Sequence, residues 1–300
     1  MSVDLGRAGG RDDGVGLGEG LSPLLSSGAA DRHLVALDVD GTLMSYDEFL
    51  SDEVREAVAQ VRAAGHHVVL ASGRPLVAML PVAHDLGIDE GWLVCSNGSV
   101  TVRLDPSLAQ GYAVQDTVMF DPAQALLAMR EHMPLARVAL EEVGVGYWVD
   151  GVFPDRNLHG TSTVVDFDEL IGRETVRVVV AHAHASGAAG QAFGEQMRAL
   201  GLADTYFTIA GTRWMDIAPA GVTKAYALEP LRVRLGVDAA RTLAIGDGGN
   251  DVDMLAWAAR GVAMGHAEAA VIAAADEVTL SITDDGAVPV LRSLLETAVR

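Results

Sequence analysis

Short apolar runs rich in β-branched residues recur along the chain, and several end in a polar turn that contains glycine. The strings HLVALDVDGTL, HVVLASGRP and WLVCSNG follow one another in the first hundred residues, and TLAIGDGGND appears near residue 245. Runs of this kind are typical of strands buried in a parallel sheet. We therefore predict a strand at each of these strings, followed by a polar loop.

The stretches between these strands have helical periodicity. In SDEVREAVAQVRAAG, the apolar residues Val54, Val58 and Val61 lie on one helical face. Ser51 is the predicted N-cap, and Gly65 is the predicted stop after the helix. Strands that alternate with helices in this way predict a parallel sheet with right-handed crossovers, which is the doubly wound, Rossmann-like α/β class.

The middle of the chain has a different pattern. Alternating segments such as RVALEEV, GYWVD and TVRVVVAHA surround helix-like stretches there. This predicts an α+β domain inserted into the α/β core. The expected organisation is a flexible tail at 1–31, core at 32–98, inserted domain at 99–211 and core again at 212–300.

Composition and charge restrict the partners. The formal net charge of −20 disfavours nucleic acid and anionic membrane surfaces, because both require a field of basic residues. No apolar run approaches the roughly 18 residues that a membrane span needs. Cys95 is the single cysteine, which excludes an internal disulfide and fits a reducing compartment. We expect a cytoplasmic protein that binds neither nucleic acid nor membranes.

The polar turns after the predicted strands concentrate acidic residues. In an open parallel sheet, ligands bind beyond the carboxyl ends of the strands, so these turns are expected to meet. Four carboxylates brought together repel one another by roughly 4 kcal/mol per pair at 4 Å and an effective dielectric near 20, and they require a cation. Oxygen-only ligands favour Mg²⁺. The side chains expected at this edge are Asp38, Asp40, Ser72, Arg74, Asp247 and Asp251, with Lys224 at the start of a helix.

Four strings in the correct order resemble the haloacid dehalogenase superfamily of phosphatases. They are DVDGTL from Asp38, ASGRP around Ser72, GVTKAYAL around Lys224 and GDGGNDVDML ending in Leu255. The inserted α+β segment is similar to the type IIB cap of the Cof-like branch. The resemblance implies a doubly wound core with such a cap, and a magnesium-dependent phosphatase acting on a small phosphorylated metabolite, commonly a sugar phosphate.

The resemblance also implies a role for each residue of these strings. Asp38 would attack phosphorus, and Asp40 would protonate the leaving oxygen and then activate water. Mg²⁺ would be held by Asp38, the backbone carbonyl of Asp40 and Asp247, with Asp251 reaching the ion directly or through water. The residues expected on the phosphoryl group or substrate are Ser72, Gly73, Arg74, Lys224 and Asn250.

Lys224 is exceptional in this chain. The other basic residues are 20 arginines, so the single lysine stands where the resemblance requires a compact positive charge on phosphate.

Two loops leave alternatives open. Asn97, in SNGS, is either a substrate contact near the cap or part of an Asn-Gly hairpin turn. His159 lies in a polar loop with Arg156 and Asn157, and it either reaches a substrate hydroxyl or second phosphate or is simply solvated. His182 and His184 lack a third ligand at suitable spacing, so no metal site is expected there.

The same residue types occur in two other kinds of protein. A phosphotransferase or mutase of the same superfamily would pass the phosphoryl group to a second hydroxyl instead of water. A phospho-aspartate signalling receiver also combines aspartates, Mg²⁺, a hydroxyl and a lysine, but receivers are shorter and carry no inserted domain. Neither the individual metabolite nor the oligomeric state follows from the sequence.

Overall fold

A computed structural model describes residues 32–153, 158–181, 195, 198–199, 202–209 and 212–296. The predicted tail at 1–31 lies outside these ranges, as do Arg156, Asn157, His182 and His184. The described residues from Arg32 onward group into one compact unit. No helix within the described ranges has the length and apolar character needed to cross a bilayer.

The described ranges contain fourteen strands and eight complete α-helices. The strands are β1 (Leu34–Leu37), β2 (His67–Ala71), β3 (Gly91–Cys95), β4 (Val100–Leu104), β5 (Tyr112–Thr117), β6 (Arg137–Glu142), β7 (Gly146–Val149), β8 (Thr161–Val164), β9 (Val178–Ala181), β10 (Leu202–Ile209), β11 (Thr212–Pro219), β12 (Thr242–Gly246), β13 (Arg260–Ala263) and β14 (Glu277–Val278). The helices are α1 (Asp52–Ala63), α2 (Leu76–Asp85), α3 (Ala123–His132), α4 (Phe167–Ile171), α5 (Lys224–Leu235), α6 (Val252–Trp257), α7 (Ala269–Ala274) and α8 (Ala287–Glu296).

The first sheet has the order β14-β13-β12-β1-β2-β3-β4-β5. The strands from β14 to β3 are parallel, and β4 and β5 continue the sheet in antiparallel fashion. Successive residues of β1 point to opposite faces, so Val35 and Leu37 pack with α1, α2 and α8, whereas Leu34 and Ala36 pack with α5, α6 and α7. Helices therefore cover both faces, which confirms the doubly wound prediction.

Helix α1 begins and ends as its sequence predicts. The Ser51 hydroxyl accepts a hydrogen bond from the Val54 amide at 3.1 Å, and Gly65 adopts a φ of +91° just beyond the helix end. Val54, Val58 and Val61 are buried in the core.

The second sheet has the order β10-β11-β9-β6-β7-β8 and is antiparallel except for the pair β7–β8. One of its faces packs on α3 and α4. This sheet corresponds to the predicted inserted α+β segment.

The predicted boundaries of the inserted domain, at 99 and 211, do not coincide with the change of sheet. Strands β4 and β5 belong to the first sheet, because the chain after β3 folds back as a hairpin. Strand β11 belongs to the second sheet, because it pairs along its whole length with β10. Strand periodicity identifies strands but does not specify their partners, which explains the difference. That the second sheet folds as a separate domain stays a prediction.

Candidate active site

Polar side chains from neighbouring strands converge at one edge of the first sheet. Strands β12, β1, β2 and β3 are adjacent and parallel, so the turns that follow them lie side by side. Asp247, Asp38, Ser72 and Ser96 are the first residues after these four strands. The convergence predicted from the sequence is therefore present in the structure.

Three buried carboxylates and one ammonium group form the centre of this site. Oxygen atoms of Asp38, Asp247 and Asp251 all lie within 4.8 Å of one another. Lys224 is completely buried, and its Nζ donates to Asp38 Oδ1 at 2.5 Å and to Asp251 Oδ1 at 2.6 Å. The two residues joined by the shorter bond are 186 positions apart in the chain.

A close backbone contact places Lys224 at the start of α5. Thr223 caps this helix, since its hydroxyl accepts a hydrogen bond from the Tyr226 amide. Gly98, in the turn after β3, packs against the carbonyl of Thr223, and a Cβ at residue 98 would lie only 2.1 Å from that oxygen. The φ of +104° at Gly98 also favours glycine. The β3–β4 hairpin therefore sets where the lysine enters the site.

Asp251 has a structural role as well as a place in the cluster. Its Oδ2 accepts hydrogen bonds from the amides of Asp247 and Gly248 at 3.0 and 2.9 Å, and its Oδ1 accepts from Lys224. Both oxygens are therefore engaged within the protein. The side chain holds the turn that presents Asp247.

Negative charge exceeds positive charge in this cluster. Burial raises the pKa of Asp38 well above its ordinary value, and the neighbouring Asp251 and Asp247 raise it further, while Lys224 acts in the opposite direction. Burial alone would lower the pKa of Lys224, but Asp251 and Asp38 outweigh that effect and raise it. Three carboxylates and one ammonium leave a formal excess of two negative charges, which is the charge that a divalent cation neutralises.

The donor set fits a hard divalent cation. Within the described ranges, this is the one group of three acidic, cysteine or histidine side chains close enough to share an ion, and all its donors are oxygens. The Asp40 carboxylate is not part of the group, and the expected contact of the Asp40 backbone carbonyl with a metal stays a prediction. The chemistry of the residues present therefore suits Mg²⁺.

Asp40 turns away from the cluster toward Arg74. The guanidinium donates two hydrogen bonds to the Asp40 carboxylate, from Nε at 2.8 Å and from a terminal nitrogen at 2.6 Å. The same terminal nitrogen lies 3.4 Å from Glu48 Oε1. A bidentate pair of this kind fixes the direction of the carboxylate. Arg74 thus orients Asp40 in this structure, and its expected contact with phosphate or substrate stays a prediction.

Asn97 lies in a hairpin turn, which is one of its two predicted roles. Strands β3 and β4 are antiparallel, and Asn97 adopts a φ of +56° between them. Its Oδ1 accepts a hydrogen bond from Asn250 Nδ2 at 2.8 Å, and a Cβ at Gly73 would lie 3.1 Å from this oxygen. The turns after β2, β3 and β12 thus meet at Asn97, and its contact with substrate stays a prediction.

Three side chains around Asp247 were not anticipated from the sequence. Thr42 Oγ1 donates to Asp247 Oδ1 at 2.9 Å, Tyr46 OH donates to Oδ2 at 2.5 Å, and His266 Nε2 lies 3.4 Å from Oδ2. Thr42 belongs to the DVDGTL string, so the sequence contained a motif that could have indicated its place in the site. Tyr46 and His266 reach Asp247 from loops that carry no such motif.

His159 approaches the same edge from the second-sheet side. Its pKa is lowered, first by partial burial and then by Arg74, while Glu48 and Asp40 act in the opposite direction. The charged groups around Asp40 therefore act electrostatically on the His159 imidazole. Its role toward a substrate stays a prediction.

The sequence and the fold match known proteins over most of their length. The family model for haloacid dehalogenase-like hydrolases matches residues 35–291. A 5-amino-6-(5-phospho-D-ribitylamino)uracil phosphatase of Bacillus subtilis, YcsE, is 25% identical, and the match covers 87% of this chain and 95% of that protein. An HMP-PP phosphatase of Yersinia pseudotuberculosis is 29% identical over 78% of this chain and 84% of that protein.

A solved structure is also similar. The phosphatase BT1666 of Bacteroides thetaiotaomicron matches with a TM-score of 0.70 at 27% identity, covering 91% of this chain and 98% of that one. It is described as a phosphatase of the haloalkanoate (HAD) enzyme superfamily. The predicted family, fold class and enzyme class are all confirmed by these matches, and the chain belongs to the haloacid dehalogenase-like hydrolases.

Proposed function

We propose that this protein is a magnesium-dependent phosphatase that hydrolyses small phosphomonoesters through an aspartyl-phosphate on Asp38. The observation that carries the proposal is the meeting of three buried acids with the chain's single lysine. The phosphatase names of the matched relatives support the reaction class. The expected compartment is the cytoplasm.

Asp38 is the proposed nucleophile. Its carboxylate oxygen attacks phosphorus while the bond between phosphorus and the leaving oxygen breaks, which leaves a phosphoryl group on Asp38. Lys224 lies beside this carboxylate, so its ammonium is placed to compensate charge on the transferring phosphoryl oxygens. Ser72, which immediately follows β2, supplies a hydroxyl at the same edge of the sheet.

Asp40 is the proposed acid and base. It gives a proton to the leaving oxygen in the first half-reaction. In the second half-reaction it takes a proton from the water that attacks phosphorus and releases Asp38. Arg74 donates two hydrogen bonds to the Asp40 carboxylate and thereby fixes the orientation of this proton-transfer group.

Asp38, Asp247 and the Asp40 carbonyl are the proposed Mg²⁺ ligands, and Asp251 would reach the ion directly or through a water molecule. When bound, the ion supplies positive charge that stabilises the charge on the transferring phosphoryl group. We expect Thr42 and Tyr46 to orient the Asp247 carboxylate, since both donate to it.

Adding Mg²⁺ to metal-free protein is expected to raise the midpoint of thermal unfolding. An ion that binds only the folded state stabilises it by about 2.7 kcal/mol at a concentration 100 times its dissociation constant. Asp247→Asn should remove most of the increase, whereas Asp253→Asn, which changes an exposed acid six residues further along, should retain it. An equal increase in both variants would contradict the proposed ligand set.

Asp40→Asn is expected to lower turnover of p-nitrophenyl phosphate by about 10²-fold or more, because the amide cannot exchange a proton with the leaving group or with water. The Mg²⁺-dependent increase in thermal stability should persist, since the backbone carbonyl is unchanged. Unaltered steady-state turnover in this variant would place the acid and base elsewhere.

The identity of the leaving group can be determined with a panel of candidate substrates. Phosphorylated sugars, nucleotides and cofactor precursors should be assayed for release of inorganic phosphate. Equal amounts of phosphate released and ester consumed support hydrolysis. Consumption without phosphate release would instead favour the phosphotransferase or mutase alternative.

A further inference from the structure

A buried ionic network joins the second sheet to the turn that follows β2. Arg177, which immediately precedes β9, is 5% exposed and lies between two buried acids. Its Nε donates to Glu141 Oε2 at 3.0 Å, one terminal nitrogen donates to Asp216 Oδ2 at 3.1 Å, and the other donates to Tyr147 OH at 2.8 Å. These partners come from three strands of the second sheet, β6, β11 and β7.

Arg177 also bonds to the backbone of the first-sheet turn. The terminal nitrogen that contacts Asp216 donates to the carbonyl of Gly73 at 2.6 Å. The three carbonyls of residues 72–74 all accept hydrogen bonds from outside the turn: Ser72 from the Asn97 amide at 3.1 Å, Gly73 from Arg177, and Arg74 from the Ser96 amide at 2.9 Å. The middle carbonyl is the one held by a side chain.

The Gly73 carbonyl controls the orientation of the next amide. A peptide unit is planar, so fixing the carbonyl of Gly73 also fixes the N–H of Arg74. That N–H donates to Ser72 Oγ at 3.1 Å. Arg177 thereby acts, through one rigid peptide plane, on the hydroxyl that we propose to bind the phosphoryl group.

A second link runs through Ser96. Its hydroxyl donates to Glu141, with both carboxylate oxygens 2.8 Å away. Ser96 also holds the Arg74 carbonyl through its amide. The network therefore contacts the two adjacent turns that follow β2 and β3.

The charges of the network keep the guanidinium in place. Burial raises the pKa of Glu141 and of Asp216, and Arg177 lowers both. Two acids share one arginine, so the arginine is strongly retained between them. Its planar fork of donors serves several acceptors at once, which a lysine ammonium cannot do in the same geometry.

We propose that Arg177 is a positioning residue that holds the phosphate-binding turn at 72–74 from the second sheet. This inference rests on the proposed function for its catalytic consequence, but its structural content is independent of that function. Arg177 acts through Gly73 and makes no contact with the reacting atoms in this scheme.

Arg177→Lys tests the proposal, because it keeps the positive charge between the two acids but loses the fork that reaches Gly73. Amide hydrogen exchange in peptides covering residues 70–76 should become faster by about tenfold or more, in line with the loss of one charge-assisted hydrogen bond. The inhibition constant of inorganic phosphate should rise, and kcat/KM for p-nitrophenyl phosphate should fall, each by about ten- to a hundredfold.

Tyr147→Phe is the matched control. It removes one hydrogen bond to Arg177 on the second-sheet side and leaves the bond to Gly73 intact. Exchange at 70–76 and phosphate inhibition should stay within about threefold of wild type. An equal change in both variants would mean that any weakening of the network, and not the bond to Gly73, alters the turn.

A charge-neutral triple variant covers the case in which Arg177→Lys does not fold. Combining Arg177→Met with Glu141→Gln and Asp216→Asn leaves no unpaired buried charge but still removes the bond to Gly73. Unchanged exchange at 70–76 in a folded variant overturns the proposal whatever the activity. A wild type without phosphatase activity would instead overturn the proposed function, and the exchange measurement would still decide the positioning role.

Discussion

Asp38→Asn is expected to lower magnesium-dependent turnover of p-nitrophenyl phosphate by about 10³-fold or more. The amide cannot form the aspartyl-phosphate, so the covalent route is lost while the remaining site is retained. Initial rates at saturating Mg²⁺ measure the effect. Asp253→Asn is the matched control, since its acid is exposed and outside the cluster. Equal activity in wild type and Asp38→Asn would show that Asp38 is not the nucleophile.

The same substitution has an opposite effect on the stability of the metal-free protein. The pKa of Asp38 is raised in the folded state, so over a range of pH the folded chain retains a proton that the unfolded chain has released. The free energy of unfolding therefore falls as pH rises from the ordinary aspartate pKa through the raised value. The Asp38→Asn variant has no carboxyl group to titrate at this position, so its stability does not fall with pH for this reason. Its free energy of unfolding near pH 7 without metal should equal or exceed that of wild type.

Lys224→Met is expected to destabilise the protein by about 3–5 kcal/mol, because it leaves buried carboxylates without their ammonium partner. Phosphatase activity should also fall severely, since the charge beside the transferring phosphoryl group is lost. Urea unfolding at neutral pH and steady-state kinetics measure the two effects. A stability equal to that of wild type would show that the lysine does not compensate these acids.

A double-mutant cycle measures the interaction between Lys224 and Asp38 separately from that between Lys224 and Asp251. In an Asp38→Asn background, one carboxylate partner of Lys224 is already gone, so Lys224→Met should cost less than it does in wild type. A cost that is the same in both backgrounds would mean that Asp251 alone holds the lysine. The cycle therefore assigns the coupling to a particular acid.

The acid cluster was predictable because each of its members is specified locally. Asp38 and Asp247 directly follow apolar runs that are typical of buried strands, and parallel strands bring their carboxyl ends to one edge. Lys224 stood out as the single lysine among 20 arginines. The resemblance of four strings to a known family supplied the role expected of each residue, which periodicity alone does not.

Contacts between distant segments were not predictable. Arg177 precedes a fully apolar strand, and nothing near it in the sequence indicates that it bonds to Gly73, 104 positions away. The pairing of Arg74 with Asp40 was likewise not anticipated, and the expected contact of Arg74 with phosphate or substrate stays a prediction. The sheet to which β4, β5 and β11 belong was not predictable for a related reason, since a strand's periodicity does not identify its neighbour in a sheet.

The central strand pair has a consequence for the order in which the molecule is made. Strand β1 pairs with β12, which lies about two hundred residues later in the chain. Asp38 can therefore meet Asp247 and Asp251 only after the ribosome has synthesised that distant segment. All six strands of the second sheet leave the ribosome before this pair can close. A nascent chain therefore carries Asp38 without its lysine and without its companion acids until those residues have been synthesised. Binding of a divalent ion at the proposed site therefore requires that this long loop close first, which makes the site dependent on a contact of high sequence separation.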